Sequence, residues 1–317
     1  MEPWVIALIV IGCLLFLFIV AELIAGNYFY KVAFDRRLTT AKGTRKPFVS
    51  PDGKQTLRYD WDWIKKTHFE EVGISSFDET LLKAELALNP NGGHKYIISC
   101  HGYRGEWEEL SLPAHQFYEK LGYSILMINE RGHDKSGYPL ITFGDKECRD
   151  LVEWVKYLVY RDKDAQICLY GLSMGAATVM MSLNLGLPSN VKCAIEDCGF
   201  SSIKEQFKHV LKTQFKIPPF LILPVCQFVC IFRHQISMTK HSAIKALKED
   251  EIPIMMIHGT GDTYVPYRML DENFQAVREG TYKEKLPVEG AWHAMSCSVD
   301  FDEYIKKTSD FLARFIS

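Results

Sequence analysis

Residues 169–177 read LYGLSMGAA, and the residues just ahead of them, 165–168, read AQIC. An apolar, strand-like run therefore ends on a serine set between two glycines and continues into an alanine-rich, helix-forming segment. Gly171-Leu172-Ser173-Met174-Gly175 has the form G-x-S-x-G, and a strand before with a helix after is the context that motif requires. A turn this sharp forces its central residue into strained backbone angles. Glycines on either side leave room where a Cβ would meet the neighbouring strand or helix. Ser173 is then held at the tip of the turn, above the C-terminal edge of a sheet. The following helix aims its N-terminal N–H groups at developing negative charge.

Outward from this turn the pattern is strand, loop, helix, repeated. Strand-like runs are KYIISC (95–100), YSILMIN (123–129), AQICLYG (165–171), VKCAIE (191–196), PIMMIHG (253–259) and YKEKLPV (282–288). Helix-length segments lie at 106–121, 144–161, 173–185 and 267–278, and 300–316 is amphipathic. Runs this apolar predict strands buried on both faces, with right-handed crossovers onto a mostly parallel sheet, so the domain is α/β. Ahead of them, residues 68–88 alternate around the turn SFDET and predict an antiparallel pair. The connection between Glu196 and Pro253 is far longer than a crossover needs. It holds a basic amphipathic helix (SSIKEQFKHVLKTQFK) and then PPFLILPVCQFVCIF, the expected make-up of a cap over a site.

A serine hydroxyl needs a base, and the base needs an acid to orient it. The chain order for this arrangement is Ser, then Asp or Glu, then His. Asp262 stands in a turn just past PIMMIHG, and His293 in the loop after the last strand, so both fall on the edge of the sheet that carries Ser173. Asp197, also just past a strand, is the rival acid. Asp262 is preferred because its strand adjoins the His-bearing one in chain order. His258 lies within a strand, and His101 and His133 precede the serine, which leaves His293 as the base. A tetrahedral intermediate also needs oxyanion donors. The Met174 N–H follows the nucleophile directly, and the Tyr103 N–H lies in the loop Cys100-His101-Gly102-Tyr103-Arg104-Gly105. The Tyr103 hydroxyl is either a further donor or part of a rim aromatic that touches substrate.

His101-Gly102, Arg131-Gly132-His133-Asp134-Lys135-Ser136, Gly171–Gly175, Gly259–Asp262 with Val265-Pro266, and His293 together resemble the α/β-hydrolase superfamily. The resemblance is particularly to its serine aminopeptidase-like and monoacylglycerol-lipase-like branch, and the anchored layout looks like that of membrane-attached bacterial hydrolases. It covers roughly residues 68–317. It implies an eight-stranded sheet, a Ser/Asp/His triad and neither metal nor organic cofactor, and it fixes no substrate. The pattern R-G-H-G-x-S is broken at Asp134, where the resemblance expects glycine; Arg131 is assigned a structural role.

The remaining composition bounds the function. The chain has 317 residues, 47% hydrophobic and 24% charged, with a formal net charge of −2 and no long basic block, so nothing supports nucleic-acid binding. Its nine cysteines form no CxxC pair and no zinc-like spacing; most lie in apolar runs, and Cys100, Cys168 and Cys193, on core strands, read as buried small hydrophobes. Residues 4–21 (WVIALIVIGCLLFLFIVA) carry no charge, enough at ~1.5 Å per residue for a ~27 Å span. We therefore expect a transmembrane anchor at 1–26, a juxtamembrane linker at 27–67, and a hydrolase domain at 68–317 with a cap insertion at about 200–248. Within the linker, Trp61 and Trp63 either meet lipid headgroups or pack on the domain. Lys31, Arg36, Arg37, Lys42, Arg45 and Lys46 follow the span and no Lys or Arg precedes it, which places the domain on the cytoplasmic side.

The leading function is a membrane-anchored serine hydrolase of carboxylic esters, acting through an acyl-enzyme. The expected partner is a small acyl or ester substrate; the apolar cap and the anchor lean towards a lipid-like one, but packing of the cap's apolar side over the sheet is the preferred reading of the cap. A peptidase or amidase activity is the alternative enzyme reading. A non-catalytic tethered binding module is disfavoured because every catalytic element is intact.

Overall fold

A computed structural model describes residues 1–36 and 48–317. Eight strands form one sheet: β1 (Glu70–Ser75), β2 (Leu81–Ala87), β3 (Lys95–Cys100), β4 (Ser124–Asn129), β5 (Gln166–Leu172), β6 (Val191–Asp197), β7 (Ile254–Gly259) and β8 (Lys283–Val288). Their order is β1-β2-β4-β3-β5-β6-β7-β8. β2 pairs antiparallel with β1 and with β4, and every other pairing is parallel. The six apolar runs and the antiparallel pair read from the sequence fall on these strands to within a residue or two.

The period-2 geometry of a strand explains why the central strands are apolar throughout. Ile97, Ile125, Met127 and Tyr170 enter one buried cluster, while their chain neighbours Ile98, Leu126, Ile128 and Leu169 enter another on the opposite face. Helices Ser111–Leu121 and Phe301–Phe315 cover the first face through Phe117, Tyr304, Phe311 and Leu312. Helices Glu147–Arg161, Met174–Ser182, Ala243–Glu249 and Arg268–Ala276 cover the second. With both faces closed, the edge left for a site is the C-terminal end of the parallel strands.

A third apolar cluster sits above that edge. It joins Leu140, Ile141 and Phe143 to helices Ile203–Thr213 and Pro219–His234, which form the cap, and to Tyr30 and Phe34. Two expected boundaries move. The segment 200–248 is not all cap, because its third helix, Ala243–Glu249, buries Ala243 and Leu247 in the layer that flanks the sheet. The N-terminal helix does not stop at residue 26, the expected end of the anchor, either. One helix runs Pro3–Phe34, and its last third packs into the domain, with Gly26, Tyr30 and Phe34 buried. Aromatic residues explain the change: Phe34 packs edge-on against Phe143 and Phe207, and Phe29 against Phe215.

The first two-thirds of that helix is exposed and apolar, and it is the one described helix long and apolar enough to cross a membrane. The short helix Trp61–Lys66 follows later in the expected linker. There Trp63 is buried against Phe69 and His115, whereas Trp61 stays exposed. Of the basic residues that follow the expected span, Lys31 and Arg36 are described; Arg37, Lys42, Arg45 and Lys46 lie outside the described residues.

Candidate active site

β5 ends at Leu172, and helix Met174–Ser182 starts immediately after Ser173. Ser173 has φ 56° and ψ −111°, outside the relaxed regions for a residue with a side chain. The flanking glycines are a steric requirement. A Cβ on Gly171 would collide with the Gly175 carbonyl, and one on Gly175 with the carbonyls of Cys100 and His101. The strain is held because the Ser173 N–H donates to the Asp197 carbonyl at 2.8 Å and the helix behind it is entirely buried.

The three side chains singled out in the sequence meet. Ser173 Oγ lies 2.7 Å from His293 Nε2, and His293 Nδ1 lies 2.6 Å from Asp262 Oδ2. Asp262 also accepts from the Tyr264 and Val265 N–H groups at 2.8 and 2.9 Å. Burial works against its charge, but the attraction of His293 and hydrogen bonds from His258 and His293 outweigh it and hold the carboxyl well below its ordinary range. An ionised carboxylate only accepts, so His293 Nδ1 carries the proton and Nε2 presents its lone pair to the serine hydroxyl.

Asp197 is occupied elsewhere. Its carboxylate accepts from Ser296 Oγ and Tyr304 Oη, each at 3.1 Å, and Tyr304 in turn meets Tyr170 Oη at 2.5 Å. Burial pushes its pKa from 3.8 up to about 6, against the pull of those hydroxyls and of His258. A carboxyl raised in the folded state stabilises the fold while neutral. Stability is therefore lost as pH climbs from about 4 through about 6, to a total of ~3 kcal/mol. Unfolding of Asp197→Asn and wild type, followed at pH 4 and pH 8, should show the variant gaining on the wild type by up to that amount. A difference that does not change with pH would contradict this account of Asp197.

His258, set aside in the sequence because it lies in a strand, belongs to the site. Its Nε2 is 3.2 Å from Asp262 Oδ2, the oxygen that also meets His293, and 2.9 Å from the Val265 carbonyl, so it is a second imidazole braced against the acid. Burial lowers its basicity, but Asp262 and Glu196 outweigh this and raise it overall. The signal was its place four residues before Asp262, on the same strand end.

The loop after β3 is built to present one N–H. Gly102 N–H donates to Glu109 Oε2 and Arg104 N–H to His133 Nε2, each at 3.0 Å. Between them the Tyr103 N–H has no protein acceptor among the described residues. The Tyr103 hydroxyl, by contrast, donates to the Ala33 carbonyl at 2.7 Å. His133 Nδ1 contacts the Arg131 carbonyl and its ring packs edge-on against His101, so the two histidines left out of the sequence assignment support this loop. The Asp134 departure also has a backbone explanation. Asp134 has φ 35°, a left-handed conformation that glycine adopts freely and aspartate tolerates. Arg131 is fully buried, paired with Asp150 at 2.6 Å and Asp78 at 3.0 Å, and so braces the fold.

Cys198 Sγ lies near the Asp262 and His293 donor atoms, all within 4.8 Å of one another. Those two residues are already hydrogen-bonded to each other. Burial raises the Cys198 thiol well above its ordinary pKa.

Residues 109–314, which include Ser173, Asp262 and His293, match the model of the prolyl oligopeptidase family. The chain belongs to that family. It has the α/β-hydrolase fold and is a serine hydrolase. Among sequences it is similar to the uncharacterized protein YqkD of Bacillus subtilis, at 26% identity over 224 residues, 70% of this chain and 72% of that protein. Among solved structures it is similar to the Pyrococcus furiosus esterase Pf2001, with TM-score 0.65 and 24% identity over 86% of this chain and all of that one. The acylaminoacyl peptidase of Pyrococcus horikoshii superposes with TM-score 0.57 and 15% identity. It covers 82% of this chain, which spans only 43% of the peptidase.

Proposed function

We propose that this member of the prolyl oligopeptidase family is a membrane-anchored esterase with a lipid-like acyl substrate, using Ser173 as nucleophile, His293 as base and Asp262 as the orienting acid. The observation that carries the chemistry is the hydrogen-bond chain from Ser173 Oγ through His293 to Asp262, at 2.7 and 2.6 Å. His293 Nε2 takes the serine proton as Oγ attacks the carbonyl carbon. The tetrahedral oxyanion is held by the N–H groups of Met174 and Tyr103. His293 returns the proton to the leaving alcohol, and a water activated in the same way releases the acid.

The preference for an acyl chain is supported by the apolar cluster over the serine, which contains Met174, Tyr103 and Tyr264 and continues through Phe143 and Phe207 into the cap. Membrane attachment is supported by the exposed apolar stretch of the N-terminal helix. On the second cap helix Phe220, Phe228 and Phe232 are 74%, 53% and 73% exposed, an apolar face beside the anchor. The helix is ~48 Å long against a hydrocarbon core of ~30 Å, so its excess can lie inside the domain while the rest spans. Lys204, Lys208, Lys212 and Lys216 of and just after the first cap helix would meet anionic headgroups, but they add less, since Lys208 pairs with Glu205 at 2.6 Å. The positive residues after the span favour the cytoplasmic side.

The test is a chain-length series of p-nitrophenyl esters run beside N-acyl peptide amides on detergent-solubilised full-length protein. The proposal expects kcat/KM to be higher for the esters and to rise with acyl length over the shorter members. Amides cleaved in preference to esters would replace it with a peptidase reading.

A further inference from the structure

An α-helix leaves its last four carbonyls without partners inside the helix. In the N-terminal helix, which ends at Phe34, all four are met. Lys31 O accepts from the Asp35 N–H at 3.0 Å, and Phe34 O from the Ile141 N–H at 2.9 Å. Val32 O accepts from the Arg104 guanidinium at 2.5 Å, and Ala33 O from the Tyr103 hydroxyl at 2.7 Å. The last two donors are consecutive residues of the loop that presents the Tyr103 N–H. That loop is strained: Arg104 has φ 60°. Its guanidinium lies 4.6 Å over the Tyr103 ring, which stacks on Phe143 at 4.7 Å. The same helix end reaches the neighbouring loop as well. Arg36 donates to the carbonyls of Asp134 at 2.5 Å and Ser136 at 3.2 Å, flanking the loop whose His133 accepts the Arg104 N–H.

We infer that the last turn of the N-terminal helix is a positioning element of the active site, holding Tyr103 and Arg104 through the Ala33 and Val32 carbonyls so that the Tyr103 N–H points at the oxyanion. The helix is then a structural part of catalysis as well as an anchor, and its seating on the cap sets the loop. This rests on the oxyanion role given to Tyr103 above. The seat is visible at Gly26, where a Cβ would come 2.5 Å from Val225 Cγ1 and 2.8 Å from Val225 Cβ. Gly26 is seven residues from Ala33, about 10 Å along the helix, and so acts on the loop only through the helix.

The test uses full-length protein in detergent, with p-nitrophenyl butyrate turnover, fluorophosphonate labelling and thermal melting. Tyr103→Phe removes only the hydroxyl that meets Ala33. Gly26→Leu forces the helix off Val225, and Gly26→Leu with Val225→Ala restores the space. Tyr103→Phe and Gly26→Leu should each lower kcat about tenfold with KM within about twofold, since misplacing a donor by a fraction of an ångström weakens transition-state binding and little else. The added Val225→Ala should return kcat towards wild type. Should Gly26→Leu fail to fold, Arg104→Met at the exposed rim carries the test in its place, with the same loss of kcat expected.

Unchanged kcat in Gly26→Leu, or in Arg104→Met where that stands in, overturns the inference. So does a loss in Tyr103→Phe alone, which would make the hydroxyl a substrate contact. A Gly26→Leu defect that Val225→Ala does not relieve overturns it as well. Wild-type protein that takes no label and turns over no ester refutes the proposed function instead, so the two failures are distinct.

Discussion

Replacing Ser173 by alanine should abolish ester turnover, lowering kcat by roughly 10⁴- to 10⁶-fold while leaving the melting temperature close to wild type. The size of the effect follows from what remains. Without Oγ there is no atom to carry the acyl group, and the oxyanion donors can assist only a direct attack by water, the small residue seen when a triad loses its nucleophile. Stability should be spared because the hydroxyl's hydrogen bond in the structure is to His293, and the strained φ of 56° at this position is set by the turn and not by the side chain. Turnover in the alanine variant at more than about a hundredth of the wild-type rate would mean another group is the nucleophile.

Asp262→Asn should lower kcat about 10⁴-fold at neutral pH, with the fold intact. The mechanism is a change of tautomer. Asp262 accepts from His293 Nδ1, which keeps the Nε2 lone pair facing Ser173. An asparagine amide that turns its NH₂ towards Nδ1 reverses this, so that Nε2 carries the proton and has nothing with which to take the serine's. That orientation is favoured because Asp262 Oδ1 already accepts from the Tyr264 and Val265 N–H groups, which pin the oxygen of an asparagine away from His293. Asp197→Asn is the matched control. Its carboxylate meets Ser296 and Tyr304 and not the imidazole, so kcat should stay within a few-fold of wild type. Equal losses in the two variants, measured on the same ester at pH 7.5, would show that the sequence order of acid and base has been read wrongly.

Much of this was legible in the sequence because the determinants are local. A serine between glycines, a strand ending in HG, and an Asp and a His each just past a strand are all short-range patterns, and the period-2 burial of the central strands makes their limits plain. Three things were not legible. His258 was passed over because a strand position normally points a side chain into the core, and only the tertiary bend of 259–262 brings Asp262 Oδ2 within 3.2 Å of it. Asp134 looked like a loss of glycine, yet the backbone there keeps the left-handed geometry and its carbonyl serves Arg36. The N-terminal helix read as a free anchor because its hydropathy changes near residue 25. What keeps it helical to Phe34 is aromatic packing against Phe143, Phe207 and Phe215, residues 109 or more positions away in the chain. Hydropathy windows do not see contacts of that range.

The account depends above all on the Ser173 oxygen being the activated nucleophile, with its proton bound for His293. The most direct measurement is to react the full-length protein with a fluorophosphonate and locate the adduct by peptide mass spectrometry, with His293→Ala treated in parallel. The account predicts one adduct per chain on Ser173 in the wild type and a greatly slowed reaction in the histidine variant. An adduct on any other residue, or equal rates in the two proteins, would contradict it.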